Sequence, residues 1–321
     1  MLKTLKDEII QGKLITKDEA LLLIDSPLDE LCLYANQIRE YFCGNAFDMC
    51  TIINGKSGRC SEDCKYCAQS AHYCTKIDEY PLLDSDTILE QAHYNDQRGV
   101  LRYSIVTSGK ALNDIEIDDV CKTIQRIKKE TNVKVCVSFG LLNAQQFAKI
   151  KKYGVERVHN NLETSRNNFS NVCTTHTFDD KVKAIKSAQS VGLNVCSGGI
   201  MGLGETMEDR IDLALSVREL GVQSIPINML NPIPNTPYAD NSILTNDEMC
   251  RIVAIFRFIN PKSFIRLAGG RGLLEDFGKR CFQSGANAVI SGDMLTTSGI
   301  SIEKDMNMIK SLGFEVKLFN E

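Results

Sequence analysis

Three cysteines in one short segment carry the clearest chemical signal in the sequence. Cys60, Cys64 and Cys67 follow CxxxCxxC spacing within Gly58-Arg-Cys-Ser-Glu-Asp-Cys-Lys-Tyr-Cys67. Three thiolates on one loop can hold three irons of a four-iron cluster and leave the fourth iron open, as in a catalytic metal site. Cys74 lies seven residues further on and is either another ligand or a spare thiol. The alternative interpretation is a zinc knuckle or three unrelated thiols.

The composition limits the class of protein. The chain has 321 residues, 13 of them cysteine, with 43% hydrophobic and 24% charged residues and a net charge of −4. This charge gives no basic footprint for nucleic acid or an anionic membrane. No apolar stretch approaches the roughly 20 residues that span a bilayer, and Met1–Glu8 lacks the apolar core of a signal peptide. We therefore expect a cytoplasmic protein whose thiols are reduced.

A repeated local unit predicts the architecture. An amphipathic helix, a glycine and a short apolar run recur around glycines 99, 154, 192, 221 and 285. Glycine just past a helix adopts the left-handed conformation that ends it, so the run that follows enters a strand. Eight strands are expected, near residues 48–53, 101–107, 133–139, 155–160, 193–197, 222–229, 263–267 and 287–291. Strands that alternate with helices favour a (β/α)8 TIM-type barrel, and an open doubly wound sheet is the alternative.

The predicted elements divide the chain into two parts. Residues 1–44 are expected to form an N-terminal cap of two helices. Residues 45–321 are expected to form the barrel as one structural unit, with a final helix and a strand-like tail after Thr297. Within the barrel, apolar residues on one face predict a helix between Asp114 and Glu130. Thr206 and Asp209 form the pattern of a helix capping box.

The cysteine loop after the first predicted strand resembles the biotin synthase family of the radical S-adenosylmethionine (SAM) superfamily. The motifs that carry this resemblance lie in order along residues 45–300: Ser57–Ser70, Val195–Glu205, Ile225–Leu230, Phe264–Arg271 and Gly285–Gly292. The resemblance implies that Cys60, Cys64 and Cys67 hold a 4Fe–4S cluster whose open iron binds SAM. It also implies that the radical formed from SAM abstracts hydrogen from dethiobiotin, and that an auxiliary iron–sulfur cluster supplies the sulfur of biotin.

The resemblance predicts an altered auxiliary cluster in this chain. Cys136 and Cys196 match ligands of the family, and Arg266 matches its usual arginine partner. The second strand carries Ser104 where a cysteine is usual, whereas the first strand carries Cys50 where serine is common. We hypothesise that Cys50, Cys136 and Cys196 hold the cluster with Arg266 as ligand or neighbour. With this altered ligand set, two types of auxiliary cluster stay open: the usual 2Fe–2S cluster and a larger cluster of the four-iron type.

Further positions match family segments that contact SAM or substrate. An aromatic ring at Tyr66 can pack on adenine, and Lys181 replaces the arginine that usually meets the SAM carboxylate, which keeps the charge but loses the bidentate fork. Asn161 and Asn228 are expected to bind dethiobiotin. The residues expected to contact SAM are Tyr66, Thr107, Ser108, Gly109, Asn161, Glu163 and Lys181. The glycine-rich stretch 198–204 fits neither dinucleotide nor P-loop patterns and is expected to let backbone approach SAM or the cluster.

The other cysteines have no ligand-like spacing and are expected to pack in the core. They are Cys32, Cys43, Cys121, Cys173, Cys250 and Cys281. Buried free cysteine behaves as a small hydrophobic residue, which is also the alternative interpretation of Cys50.

Two other functions compete with sulfur insertion. A sister radical SAM barrel, of the hydrogenase-maturase or methylornithine-synthase type, would not need the strand cysteines. An iron–sulfur electron carrier or scaffold would not need an eight-unit barrel around an open cluster. The resemblance further implies a flavodoxin or ferredoxin as electron donor, iron–sulfur assembly proteins as partners, and a homodimer.

Overall fold

A closed barrel of parallel strands forms the body of the molecule. The computed structural model describes residues 1–318 and contains strands β1 Ala46–Lys56, β2 Arg102–Thr107, β3 Lys134–Ser138, β4 Val155–His159, β5 Asn194–Cys196, β6 Gly199–Met201, β7 Ser224–Met229, β8 Phe264–Leu267, β9 Ala288–Ser291 and β10 Glu315–Val316. Strand β1 pairs with both β2 and β9, which closes the circuit. The predicted barrel is therefore confirmed, and the open sheet is wrong.

The strand predicted at 193–197 is present as β5, and a second short strand, β6, follows it after a gap of two residues. β5 pairs with β4 and, through Cys196 and Ser224, with β7, and β6 then pairs with β7 further along. Strand β10 lies outside the circuit and pairs with the beginning of β1. Side chains on alternate strand positions point into the lumen, so Cys50 and Asp48 on β1 share its inner face.

Twelve α-helices and one 3₁₀ helix, Arg271–Leu273, accompany the strands in the described part of the chain. The α-helices are α1 Leu2–Ile10, α2 Lys17–Leu21, α3 Leu28–Cys43, α4 Ser85–Asp96, α5 Asp114–Glu130, α6 Ala144–Lys152, α7 Phe169–Val172, α8 Phe178–Ser190, α9 Met207–Glu219, α10 Asn246–Ile259, α11 Lys279–Gln283 and α12 Ile302–Ser311. The helix predicted between Asp114 and Glu130 and the capping box of Thr206 and Asp209 are confirmed. Residues 1–318 contain no helix long and apolar enough to cross a membrane.

The helix–glycine–strand units end as the sequence predicts. Glycines 99, 154, 192, 221 and 285 all have positive φ, between 67° and 114°. The left-handed conformation stops each helix and turns the chain toward the next strand. Because each helix ends at such a glycine and leads into a parallel strand, the carboxyl ends of the strands and the loops that follow them lie at one rim of the barrel.

The N-terminal segment contains three helices where two are predicted from the sequence. The additional helix, α2, is a five-residue turn whose N-terminus is capped by Thr16 and Glu19. Helix α3 packs against α1 and α10, and α2 packs against α9. The division between residues 44 and 45 stays a prediction, and positions 319–321 of the predicted barrel unit lie outside the described residues.

We expect Leu31→Ala on α3 to lower the free energy of unfolding by about 2–5 kcal/mol, because it removes a fully buried side chain from the core. Denaturant unfolding followed by circular dichroism measures the change. Leu33→Ala is the matched control, since Leu33 lies on the same helix with 53% of its surface exposed. An equal loss in both variants would contradict the packing of α3 against the barrel.

Candidate active site

The three clustered cysteines lie on the loop that follows β1. The loop folds on itself, because the Cys60 N–H donates to Gln69 O at 3.0 Å and Ala71 N–H donates to Cys60 O at 2.8 Å. All three cysteines are half-buried and none forms a disulfide. Burial, with a smaller contribution from nearby Cys60, raises the pKa of the Cys67 thiol to about 11. Three soft sulfur donors on one ordered loop fit an iron–sulfur cluster.

One cavity extends from this loop into the barrel. Its volume is about 350 Å³, and its walls come from most strands of the barrel. Cys67 and Tyr66 line it at the loop, and Cys50, Cys136 and Cys196 line it within the barrel. The structure thus brings one cysteine of the loop and all three strand cysteines to a single space. Cys60, Cys64 and Lys181 are outside its lining, and Cys74 is an exposed residue of the loop that follows.

The three strand cysteines form a buried group on the inner wall. Cys50, Cys136 and Cys196 are 7%, 4% and 7% exposed and lie on β1, β3 and β5. Ser104 on β2 is in register with Cys136 and lines the same cavity. Burial raises the pKa of Cys50 to about 12. For Cys196, burial also acts upward, but a hydrogen bond from His159 and nearby arginines bring the pKa down to about 7. Buried thiols beside cations fit the ligands of an anionic iron–sulfur cluster.

A buried carboxylate and three arginines lie close to these thiols inside the barrel. Asp48 Oδ2 accepts from Arg102 Nε at 3.0 Å and lies 3.5 Å from Arg157 Nη1. Its Oδ1 lies 3.1 Å from Arg266 Nη2. Burial works to raise the pKa of Asp48, but the three guanidinium charges outweigh it and hold that pKa well below its usual range. One negative and three positive charges leave the lumen cationic where the thiols converge.

Arg157 and Arg266 are the members of this group that line the cavity, and Arg266 is the one predicted from the sequence. Its Nη1 donates to Val289 O at 2.8 Å and to Asp48 O at 3.2 Å, so the guanidinium is held from two strands. Its side chain lines the cavity beside Cys50 and Cys196, both of which interact with it electrostatically. The predicted proximity of Arg266 to the strand cysteines is therefore present in the structure.

Asn161 and Asn228 line the cavity and also tie its wall together. Asn161 accepts from Gly198 N–H at 3.0 Å and donates to Glu163 Oε2 at 3.2 Å. Asn228 donates to Gly199 O at 3.0 Å and accepts from Gly269 N–H at 2.9 Å. Both side-chain amides therefore have fixed orientations before any ligand is present.

The two glycines at this wall are required by close backbone contacts. A Cβ on Gly198 would lie 2.0 Å from Pro226 O, and one on Gly199 would lie 2.3 Å from Glu163 O. The close approach is thus between neighbouring backbone segments. Glu163 itself has φ of 70°, a left-handed conformation that is uncommon outside glycine and is held here by bonds to Gly198 and Ile200.

The segment at the end of β2 contacts the cysteine loop. Ser108 Oγ donates to Gly58 O at 2.8 Å, and its N–H donates to Lys56 O at 2.9 Å. Thr107 Oγ1 donates to Ser138 O, and Gly109 has φ of 109°. These contacts position the cysteine loop next to β2. The three residues of this segment, Thr107, Ser108 and Gly109, do not line the cavity.

The polar surroundings of Cys173 could not be predicted from its spacing in the sequence. Cys173 is buried, as predicted, but its Sγ lies 3.7 Å from Cys64 Sγ and 3.3 Å from His176 Nδ1. The Cys173 thiol therefore contacts polar groups that can bind a metal as well as apolar core residues. Lys181, on the helix that follows, is close enough to influence Cys64 electrostatically.

Sequence reasoning also missed the charged group around Asp48. The available signal is that Asp48 and Arg102 each interrupt a largely apolar strand, whereas Arg157 lies in a strand of mixed composition and gives no such signal. A charged residue at an inward strand position requires a partner in the lumen. The loop at residues 294–297, which lines the cavity after β9, gives no such signal.

Comparison with known proteins decides the family. Residues 56–217 match the profile of the Radical SAM superfamily, and residues 226–315 match the Biotin and Thiamin Synthesis associated domain. A biotin synthase of Brachyspira hyodysenteriae is 62% identical over 99% of this chain and 95% of its own length. A biotin synthase of Akkermansia muciniphila is 55% identical over 98% of each chain. This chain belongs to the biotin synthase family.

Solved structures share the fold at much lower identity. Methylornithine synthase aligns with a TM-score of 0.85 over 98% of this chain and 97% of its own, at 19% identity. The FeFe-hydrogenase maturase of Carboxydothermus hydrogenoformans aligns with a TM-score of 0.82 over 99% and 80%, at 16% identity. These two solved structures support the barrel fold. The higher identity to biotin synthases favours sulfur insertion over the activities of methylornithine synthase and the hydrogenase maturase. Membership of the biotin synthase family implies a 4Fe–4S cluster, SAM and an auxiliary iron–sulfur cluster.

We expect Asp48→Asn to lower the free energy of unfolding by about 3–5 kcal/mol, because it leaves three buried guanidinium groups without their shared anion. Chemical denaturation of the cluster-free chain measures the change. The control is Asp86→Asn, since Asp86 pairs with Arg126 at the surface and should give almost no change. If Asp48→Asn were as stable as the control, the buried ion group would not hold the strands together.

Proposed function

We propose that this chain converts dethiobiotin to biotin with Cys60, Cys64 and Cys67 holding the 4Fe–4S cluster and the strand cysteines holding the sulfur-donating cluster. The observation that carries the proposal is the single cavity that joins Cys67 to Cys50, Cys136 and Cys196. A substrate in that space lies between the two sets of thiols. Such an arrangement suits a reaction in which one cluster starts radical formation from SAM and the other cluster supplies the sulfur atom.

The bound groups supply the difficult chemistry: the cluster and SAM provide a radical that abstracts hydrogen, and the auxiliary cluster provides sulfide. The protein binds and orients SAM and the substrate, and it excludes water from the site. Tyr66 and Glu163 both line the cavity next to Cys67 and interact with each other, which suits an adenosine site. The backbone at Thr107, Ser108 and Gly109 and the cation of Lys181 complete the proposed SAM contacts.

The auxiliary ligand set proposed here is Cys50, Cys136 and Cys196, with Arg266 as ligand or close neighbour. All three thiols are buried and influence one another electrostatically. Cys50 and Ser104 lie on the adjacent strands β1 and β2 and both face the cavity. Relative to the usual family pattern, the exchange of cysteine and serine therefore moves one ligand from β2 to β1, and the number of cysteine ligands on the strands stays the same. The four-iron type of cluster suits this altered set.

Substrate recognition is assigned to Asn161 and Asn228. Each side-chain amide offers both a donor and an acceptor, which suits the ureido ring of dethiobiotin. Their internal bonds orient them toward the cavity, and the NH2 group of each retains a second proton for a ligand. Apolar residues Ile52, Val106 and Ile290 line the same space and suit the hydrocarbon part of the substrate.

The proposal includes three kinds of protein partner. A low-potential flavodoxin or ferredoxin would deliver the electron to the cluster, and iron–sulfur assembly proteins would load both clusters. A second copy of the chain would complete a homodimer.

Reconstitution of the wild type and Cys50→Ser under anaerobic conditions tests the ligand set. We expect about eight irons per chain in the wild type, as in two four-iron clusters, and a loss of several irons in the variant. Iron and sulfide analysis with Mössbauer spectra gives the count and cluster type. About six irons with no change in Cys50→Ser would instead indicate the ordinary 2Fe–2S cluster and contradict the role of Cys50.

Product analysis with dethiobiotin and SAM separates the two sets of thiols. We expect Cys67→Ser to abolish formation of both 5′-deoxyadenosine and biotin. Cys50→Ser should retain SAM cleavage while biotin formation falls by at least about tenfold, because only the proposed sulfur donor is affected. Cys121→Ser, a buried change on α5, is the control and should leave both products unchanged. Biotin formation at the wild-type level in Cys50→Ser would refute the assignment.

A further inference from the structure

A second group of metal-binding side chains lies behind the cysteine loop. Cys64, Cys173 and His176 place one donor atom each within 4.8 Å of the others. Cys64 is half-buried, whereas Cys173 and His176 are buried. Two of the three come from the segment that follows α7, more than a hundred positions from Cys64.

The separations match a single tetrahedral ion. A tetrahedron with metal–sulfur bonds of about 2.3 Å has a sulfur–sulfur edge of about 3.8 Å, and the two Sγ atoms lie 3.7 Å apart. An edge between sulfur and an imidazole nitrogen would be about 3.5 Å, and Cys173 Sγ lies 3.3 Å from His176 Nδ1. The ligands of a four-iron cluster enclose a wider group and need not approach so closely.

Carboxylates surround the three donors. Glu62 Oε2 lies 2.6 Å from His176 Nδ1, and Asp63 Oδ1 accepts from Cys173 Sγ at 3.2 Å. Asp63 also accepts from the N–H groups of Thr174 and Thr175, which fixes its orientation. Two anions at this distance favour a cation between the donors. An ion there would replace the proton that His176 Nδ1 shares with its neighbours.

We propose that the cluster-free chain binds one divalent transition metal ion, such as Zn²⁺, through Cys64, Cys173 and His176. Glu62 or Asp63 provides the remaining contact, directly or through water. Binding releases to solvent the protons carried by the two thiols and by His176 Nδ1, with no change in oxidation state. This site excludes the cluster, because Cys64 serves both. Metal binding itself does not depend on the proposed function, and only the mutual exclusion rests on it.

Cobalt(II) titration of the full-length, reduced, cluster-free chain tests the site. We expect one Co²⁺ per chain, with the ligand-field bands of a tetrahedral ion and charge-transfer absorption from two thiolates. Cys173→Ser should halve that absorption per ion and weaken binding at least about tenfold. His176→Gln should weaken binding similarly while retaining absorption from two thiolates. Far-UV circular dichroism of each variant checks that it is folded.

Cys60→Ser is the matched control, since Cys60 belongs to the same loop but lies outside the group of three. Unchanged cobalt binding in this variant supports the proposal. Loss of binding in Cys60→Ser together with normal binding in Cys173→Ser would place the ion on the CxxxCxxC loop and overturn it, as would absence of binding at micromolar cobalt. Chains with reconstituted clusters should bind no Co²⁺ here, and binding by them would refute the exclusion. Iron content and biotin formation test the proposed function separately.

Discussion

The barrel interior depends on one buried carboxylate that is shared by three arginines. Asp48 on β1 contacts arginines from β2, β4 and β8, so a single anion links four strands across the lumen. Burial of four charged groups is unfavourable unless they are paired, and here the pairing fixes where each strand must stand. Cys50 follows two residues later on the same face. The position of the inner thiols is thus a consequence of where this ion group forms.

The same ion group determines the electrostatics of the inner cavity. Three guanidinium groups against one carboxylate leave positive charge next to thiols that would otherwise resist ionisation in a buried site. The opposite pKa directions of Cys50 and Cys196 illustrate the balance, because burial dominates at the first and the neighbouring donors and cations dominate at the second. A cluster held by these thiolates, as proposed above, would be anionic, and the cationic wall would compensate its charge.

Much of the architecture could be predicted from local patterns. Glycines after helices and apolar runs define the barrel strands, and alternation along a strand places Cys136 and Cys196 on the inner face. The CxxxCxxC loop is equally local. The partners of Asp48 and Cys173 could not be predicted in this way, because each contact joins segments far apart in the chain. Cys173 looks like a packing residue in sequence, and only the return of its segment to the cysteine loop brings it to Cys64.

The wall formed by Gly198 and Gly199 has an entropic consequence. Backbone contacts there leave no room for side chains, and the amides of Asn161 and Asn228 are bonded to that backbone. A ligand that meets these amides does not have to freeze two free rotors, each of which would cost about 0.5–1.5 kcal/mol of binding free energy. The polar part of the cavity is therefore preorganised, and binding energy remains available to align the reacting carbons.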